Sequence, residues 1–458
     1  MTAPKTLTPT DPATTATLAP LEAPPAIAGR WIDRWEPEDD AFWRGGGRAI
    51  AQRNLYPSIF AEFLGFAVWA SWSIVVPQLA AVGFILTVDQ QFWLIAVPSL
   101  VGATLRIPYT FAVPLFGGRN WTIISALLLL LPASALAVVV TRPETTPFWM
   151  LLVVAALAGL GGGNFASSMA NISFFYPERE KGKALGLNAA GGNLGTAAVQ
   201  FAVPLVIVGA AGLQLERAGL MFIPLILLAA YLASRFMNNL TFAKADYRAF
   251  GAAVQNRHTW IISFLYIGTF GSFIGYAGAF PTLLKSQFPE VTVSIAFLGA
   301  LVGSLSRPVG GILADRWGGA RVTIASFAVM ALAATSAIGA LRAVSFPLFL
   351  GSFLVLFVAT GAGNGATYRM IPAVFRVGAT TPERAARSRK TAAGCIGIAG
   401  AVGALGGFLI PRGFAISNSV AGSLQPALWL FVGIYLIMGV TTWAVYRRRG
   451  AALSAAGI

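Results

Sequence analysis

Twelve apolar runs of about 20 residues, six before a polar stretch and six after it, leave this chain little choice of fold. They fall near 57–80, 92–116, 121–140, 148–176, 183–209 and 219–238, then near 259–284, 292–314, 321–341, 346–375, 390–413 and 426–446. A run of that length crosses the hydrocarbon core of a bilayer as a helix, because a helix satisfies its own backbone where no water can. The composition agrees: 56% of the 458 residues are apolar, 11% are charged, and the mean hydropathy is +0.72. A water-soluble globule could not bury so much apolar surface. The expected fold is therefore an all-α membrane protein of twelve transmembrane helices. Its organisation reads as a tail and interfacial segment over 1–55, a six-helix bundle over 56–238, a cytoplasmic linker over 239–258, a second six-helix bundle over 259–446 and a tail over 447–458.

A net charge of +15 would suggest nucleic acid in a soluble chain. Here topology explains it better, and no nucleic-acid partner is expected. With both ends in the cytoplasm, that side takes 24 Lys and Arg, the outer loops take 5 and the spans hold 3, which accounts for all 32. The positive-inside rule places both termini in the cytoplasm on that bias. Residues 1–25 read as a disordered tail and lack the basic-then-apolar pattern of a cleaved signal peptide. Residues 28–55 mix tryptophans with charges and read as a segment lying at the headgroups.

The two halves repeat one another. TLRIPYTFAVPLFGGRNWT (104–122) returns as SLSRPVGGILADRWGGARVT, with Arg307 in the place of Arg106. Gly117-Gly118 and Gly318-Gly319 follow at equal distance, and so do Thr122 and Thr323. GLGGGNFASSMANISFF (159–175) is echoed by ATGAGNGATYRMIPAVF (359–375), which sets Asn164 against Asn364. Matching halves are the mark of carriers whose substrate site lies between them near the midplane. An arginine at the centre of a membrane helix costs ~2.5–3.5 kcal/mol. Two at matching places need a reason. Two like charges ~8 Å apart at an effective dielectric of ~20 repel by roughly 2 kcal/mol, and a monovalent anion between them reverses the sign. The planar fork of arginine donates two parallel bonds to two oxygens of one anion. The bland reading is a pair hydrogen-bonded to backbone carbonyls that locks helices together. Against it, the acids sit in the N-terminal segment and the loops, and the exception, Glu62, reads as lying near the cytoplasmic end of the first span.

Other polar residues in the spans are few. The fifth carries GKALGLNAAGGNLGTAAVQ (182–200), whose glycines read as helix packing. Asn188 and Asn193 fit packing less well, since a buried amide needs partners. Tyr266 and Phe270 lie four apart on one face of the seventh span, and Phe165 lies in the first Gly-Asn motif. Most such rings pack or face lipid, but a flat ring also suits a flat ion. Arg369 has two readings, a gate or a side chain that snorkels to the interface. His258 reads as a loop residue rather than a proton relay, and the single Cys395 as a packing residue. One histidine and one cysteine exclude a histidine-rich metal site and an intrachain disulfide. No metal or cofactor is expected. A membrane enzyme would want an acid–base or metal constellation at depth, and a sensor a soluble output domain. Neither is legible.

LRIPYTFAVPLFGGRNWT, NFASSMANISFFYP, ALGLNAAGGNLG, SFLYIGTFGSFIGYAGAF and the Asp-Arg of ADRWGGARV resemble the nitrate/nitrite porter family (the NarK type) of the major facilitator superfamily. The likeness covers nearly the whole chain. It implies two pseudo-symmetric six-helix bundles rocking about a central site in a bacterial inner membrane, working as a monomer on nitrate and nitrite. It also implies that Arg106 and Arg307 hold the anion with Asn193 and Tyr266, while Phe165 and Phe270 sandwich it. The chain departs from some members at Gly363-Asn364-Gly365, Arg369 and Gly400, where serine or glutamine can stand. Because no titratable group was legible at membrane depth, the expected mode is electroneutral exchange, nitrate in against nitrite out, with proton-coupled nitrate uptake as the alternative.

Overall fold

The computed structural model describes residues 26–27, 30–210, 212–243, 247–448 and 458. The expected tail over 1–25 and most of the C-terminal tail lie outside the described residues. Among the described residues, eleven helices are long and apolar enough to cross a membrane. In chain order, with one further helix, they are α1 (Asp40–Val82), α2 (Val88–Phe116), α3 (Gly118–Val139), α4 (Phe148–Phe175), α5 (Glu178–Val206), α6 (Arg217–Phe236), α7 (Arg257–Gln287), α8 (Val293–Trp317), α9 (Gly319–Arg342), α10 (Phe346–Arg376), α11 (Pro382–Ala421) and α12 (Gln425–Tyr446). Helix α5 is the one too polar to qualify by composition. It crosses nonetheless, because its polar residues face other helices instead of lipid: Asn188, Asn193, Thr196 and Gln200 are all buried.

The first span corrects the sequence reading most. Asp39 caps a first turn, Asp40–Phe42, its carboxylate accepting from the backbone N–H of Ala41 at 2.8 Å and Phe42 at 3.4 Å. After a break at Gly46 (φ 142°) the continuous helix runs over Arg48–Val75, so it begins well before 57. The tryptophans before and within its first turns do not lie free at a headgroup layer. Trp35 and Trp43 are buried, the first donating to the carbonyl of Phe175 and the second to Glu180. The segment is thus a brace across the end of α4 and the start of α5. Trp31–Ile32 also pairs in parallel with Asn239–Leu240 of the linker. The linker then forms a short helix, Tyr247–Gln255, whose Tyr247 stacks on Phe111 of α2 at 5.2 Å.

The repeated Gly-Gly pairs end corresponding helices. Gly117 at φ 85° and Gly318 at φ 90° stop α2 and α8 in a conformation that residues with a Cβ rarely adopt. Close packing sets the rest. A Cβ at Gly102, one turn before Arg106, would meet the Gly162 Cα at 3.2 Å, so α2 and α4 touch backbone to backbone beside the arginine. The two bundles meet along α1 against α7, α2 against α11 and α5 against α8.

Candidate anion-binding site

Helices α2 and α8 each bring one arginine to the interface of the bundles. Arg106 is fully buried and Arg307 is 7% exposed. Arg106 donates from Nε to the carbonyl of Gly162 at 3.1 Å and from Nη1 to that of Gly400 at 2.7 Å. To that extent the bland reading of helix-locking carbonyl bonds applies to it. Its Nη2, however, has no partner among the described residues, and neither has Nη1 of Arg307. Buried donors left unpaired cost ~1–3 kcal/mol each, so this pair of guanidinium groups is suited to an acceptor.

Aromatic rings set the walls. The Arg106 Cζ lies 4.7 Å from the centroid of Phe165 and 4.9 Å from that of Phe270, and the Arg307 Cζ lies 5.7 Å from Phe165. Both charges therefore stand around one ring. Phe165 comes from α4 and Phe270 from α7, and the rings lie nearly parallel, 6.1 Å apart at 26°. Phe270 sits in a widened π-turn, Ile267–Gly271, within α7. Such turns recur at functional sites because the extra residue turns a side chain out of helical register. Tyr266 stacks on Phe270 at 5.2 Å and donates its hydroxyl to Oδ1 of Asn364 at 2.8 Å. The Nδ2 of Asn364, the whole amide of Asn164 and the Oδ1 of Asn193 are buried without partners among the described residues. The structure thus gathers Arg106, Arg307, Phe165, Phe270 and Tyr266, with Asn364 bonded to the tyrosine. It also adds Tyr368, whose ring lies 5.7 Å from the Arg307 Cζ. Tyr368 stands four residues after Asn364, which is the spacing that could have revealed it.

Two sequence expectations move. Arg369 is half-exposed and ion-paired with Asp315 of the ADRW motif. Glu62 is not near a helix end. It lies about midway along Asp40–Val82 and is 1% exposed. Its Oε2 accepts from Nδ2 of Asn188 at 2.6 Å, which gives that asparagine its role, and Asn188 also reaches Ser168 at 2.6 Å. The statement that no acid lies centrally in a span is overturned. The continuous helix starts at Arg48, nine residues before the apolar run near 57, so Glu62 falls near the middle of Arg48–Val75.

At the end of the bundles away from the start of α1, Asp89 of α2 pairs with Arg412 of α11 at 2.8 Å, and the guanidinium covers Trp93 at 4.1 Å. Nearby, Gln200 of α5 donates to the carbonyl of Ala277 in α7 at 2.7 Å. These contacts close that end between the bundles. A largely apolar groove of about 620 Å³ opens elsewhere, lined by Val302, Leu313, Trp317 and Val329 of α8 and α9 and by Val355 and Val358 of α10, with Arg321 at its wall.

Comparison with known proteins returns one consistent group. The family model of the Major Facilitator Superfamily matches residues 59–411. The nitrate/nitrite transporter NarU of Salmonella typhimurium is 41% identical over 446 residues, covering 91% of this chain and 96% of that one. The probable nitrate/nitrite antiporter NarK2 of Thermus thermophilus is 36% identical over 450 residues, covering 92% and 98%. Among solved structures, the inward-open xylose transporter XylE of E. coli superposes with a TM-score of 0.65 at 15% identity, over 88% of this chain and 99% of that one, which speaks to fold alone.

Proposed function

Since the chain belongs to the nitrate/nitrite porters of the major facilitator superfamily, we propose that it carries nitrate and nitrite across a bacterial inner membrane by alternating access between its two bundles. The observation that carries this reading is the arginine pair. One guanidinium from each bundle is buried beside the Phe165 ring, and each keeps an unpartnered donor. A planar monovalent anion accepts from both forks, lies between the near-parallel rings of Phe165 and Phe270, and offsets the repulsion of the two charges. Tyr266, held by Asn364, and the buried amides of Asn193 and Asn164 complete the donor set. The chain is a carrier and not an enzyme. It holds both arginines itself and works as a monomer, with the start of α1 and both tails in the cytoplasm.

The pair by itself favours exchange. Closing an apolar interface over two unscreened positive charges is costly for the empty carrier and easier with one anion between them. Nitrate and nitrite carry equal charge, so their exchange is electroneutral. The buried carboxylate of Glu62 favours a second mode, entry of nitrate with a proton. The test of the transport reading is counterflow: purified protein in nitrite-loaded liposomes takes up labelled nitrate against its gradient. Liposomes that take up no more nitrate than protein-free controls overturn the reading.

A further inference from the structure

The anion site leaves one buried ionisable group without a task. Glu62 of α1 is enclosed by α4 and α5: its Oε2 accepts from Asn188 at 2.6 Å, and its Oε1 has no partner among the described residues. Room for Oε1 is made by Gly192 of α5, where an added Cβ would come within 2.5 Å of that oxygen. The Asn188 amide that bonds Glu62 also bonds Ser168, one turn of α4 from Phe165, the ring that Arg106 and Arg307 both flank, and Tyr368 lies against Arg307 at the same place. Asn188 and Ser168 supply only uncharged hydrogen bonds.

We propose that Glu62 binds a proton whose presence alternates with that of the anion, so that the carrier takes up nitrate with one proton as well as exchanging it. The proposal rests on the nitrate/nitrite reading and deepens it. With the site empty, an ionised Glu62 leaves the cluster of Arg106, Arg307 and Glu62 one positive charge, and so does a bound anion with a protonated Glu62. The same net charge is then occluded on the loaded and the empty strokes. The remaining unfavourable state, an empty site with Glu62 protonated, leaves both arginine charges uncompensated and resists closure. Anion and proton also favour each other directly. An ionised carboxylate and a bound anion compete for the same two arginine charges, so a proton on Glu62 favours the anion and the anion favours the proton by the same factor. In the cycle one O–H bond forms at Oε1 with a proton from the side to which the site is open. It breaks towards the other side after the bundles rock. No electrons move, and no other co-reactant is needed.

The test uses the full chain in liposomes with a pH-sensitive dye inside. Nitrate added to unloaded liposomes should carry protons into the lumen at about one per anion, and an inward proton gradient should raise net uptake by about tenfold. Glu62→Gln should lose that net uptake and its proton signal while retaining nitrate–nitrite counterflow, which also shows that it folds. Glu62→Asp, which keeps a titratable group, should restore part of both. A wild-type protein that exchanges nitrate for nitrite but moves no proton with nitrate overturns the proposal and leaves the transport reading standing. So does gradient-driven accumulation that persists in Glu62→Gln. Loss of counterflow in both Glu62 variants overturns it as well, because the carboxyl would then belong to the anion site or to the packing. A wild-type protein inert in counterflow overturns the nitrate reading itself.

Discussion

The Nη1 of Arg106 donates to the backbone carbonyl of Gly400 at 2.7 Å, from α2 in the first bundle to α11 in the second. The arginine assigned to the anion is thus also a bond between the two bodies that must move. A hydrogen bond from a charged group contributes ~1.5–3 kcal/mol, enough to bias the occluded arrangement without locking it. An anion that draws the guanidinium fork towards itself competes with this bond. In the proposed carrier, occupancy and rocking share one side chain.

Arg106→Lys and Arg307→Lys keep the charge and lose the planar fork. Nitrate binding should fall tenfold or more in each, on the order of 1.4 kcal/mol. The fall should be larger for Arg106, which also loses the geometry of its bonds to Gly162 and Gly400. Binding titrations on purified protein measure this. Wild-type affinity in both variants would make the pair structural.

Tyr266→Phe removes the donor to Asn364 and leaves the ring stacked on Phe270. Anion affinity should drop by about 0.5–1.5 kcal/mol, the net worth of one ordinary hydrogen bond. Phe165→Ala and Phe270→Ala open the slot between the rings, so chlorate, which is not planar, should compete better with nitrate. Competition profiles identical to wild type would place these rings outside the site.

A Cβ added at Gly400 would lie 3.8 Å from Arg106 Nη1 and 4.0 Å from Phe165, ordinary contact with no clash. Gly400→Ser should therefore fold with an unchanged melting temperature and set a hydroxyl beside the guanidinium. Nitrate affinity should rise by about 0.5–1.5 kcal/mol. A large loss of thermal stability would show that this face of α11 is tighter than the geometry implies.

The pair Asp89–Arg412 closes the end of the bundles assigned here to the outside. Asp89 is exposed enough for solvent to weaken the bond, so its worth is roughly 0.2–1 kcal/mol. Asp89→Asn should raise the outward-open population up to about fivefold. A cysteine placed at Ser99, buried between α2 and α11, reports this through its labelling rate with an impermeant thiol reagent. The buried native Cys395 adds little background. Equal labelling rates with and without Asp89→Asn would rule out a latch.

Much of the site was legible because it is written as a repeat. Arg106 and Arg307 stand at the same offset from paired glycines, and the structure shows those glycines ending α2 and α8 at the same positive φ. Tyr266 and Phe270, four apart, do share a face, their rings stacked 5.2 Å apart across the π-turn Ile267–Gly271. The place of Glu62 was not legible. Nothing in the run containing Glu62 distinguishes a carboxylate near a helix end from one at its middle, once the helix start has been misplaced by the polar residues before it.

The number of spans, the repeat and the two buried arginines follow from the sequence alone, because each is a property of a single segment. For eleven of the twelve helices, length and composition alone suffice for a span. What each polar side chain meets there was decided by the tertiary structure. Glu62 finds Asn188 across 126 residues of chain, and Arg106 finds Gly400 across 294. Helix α5 crosses the membrane despite its polarity, because its neighbours and not lipid surround Asn188 and Asn193. Hydropathy measures transfer into hydrocarbon, and a helix enclosed by other helices never makes that transfer on its polar face.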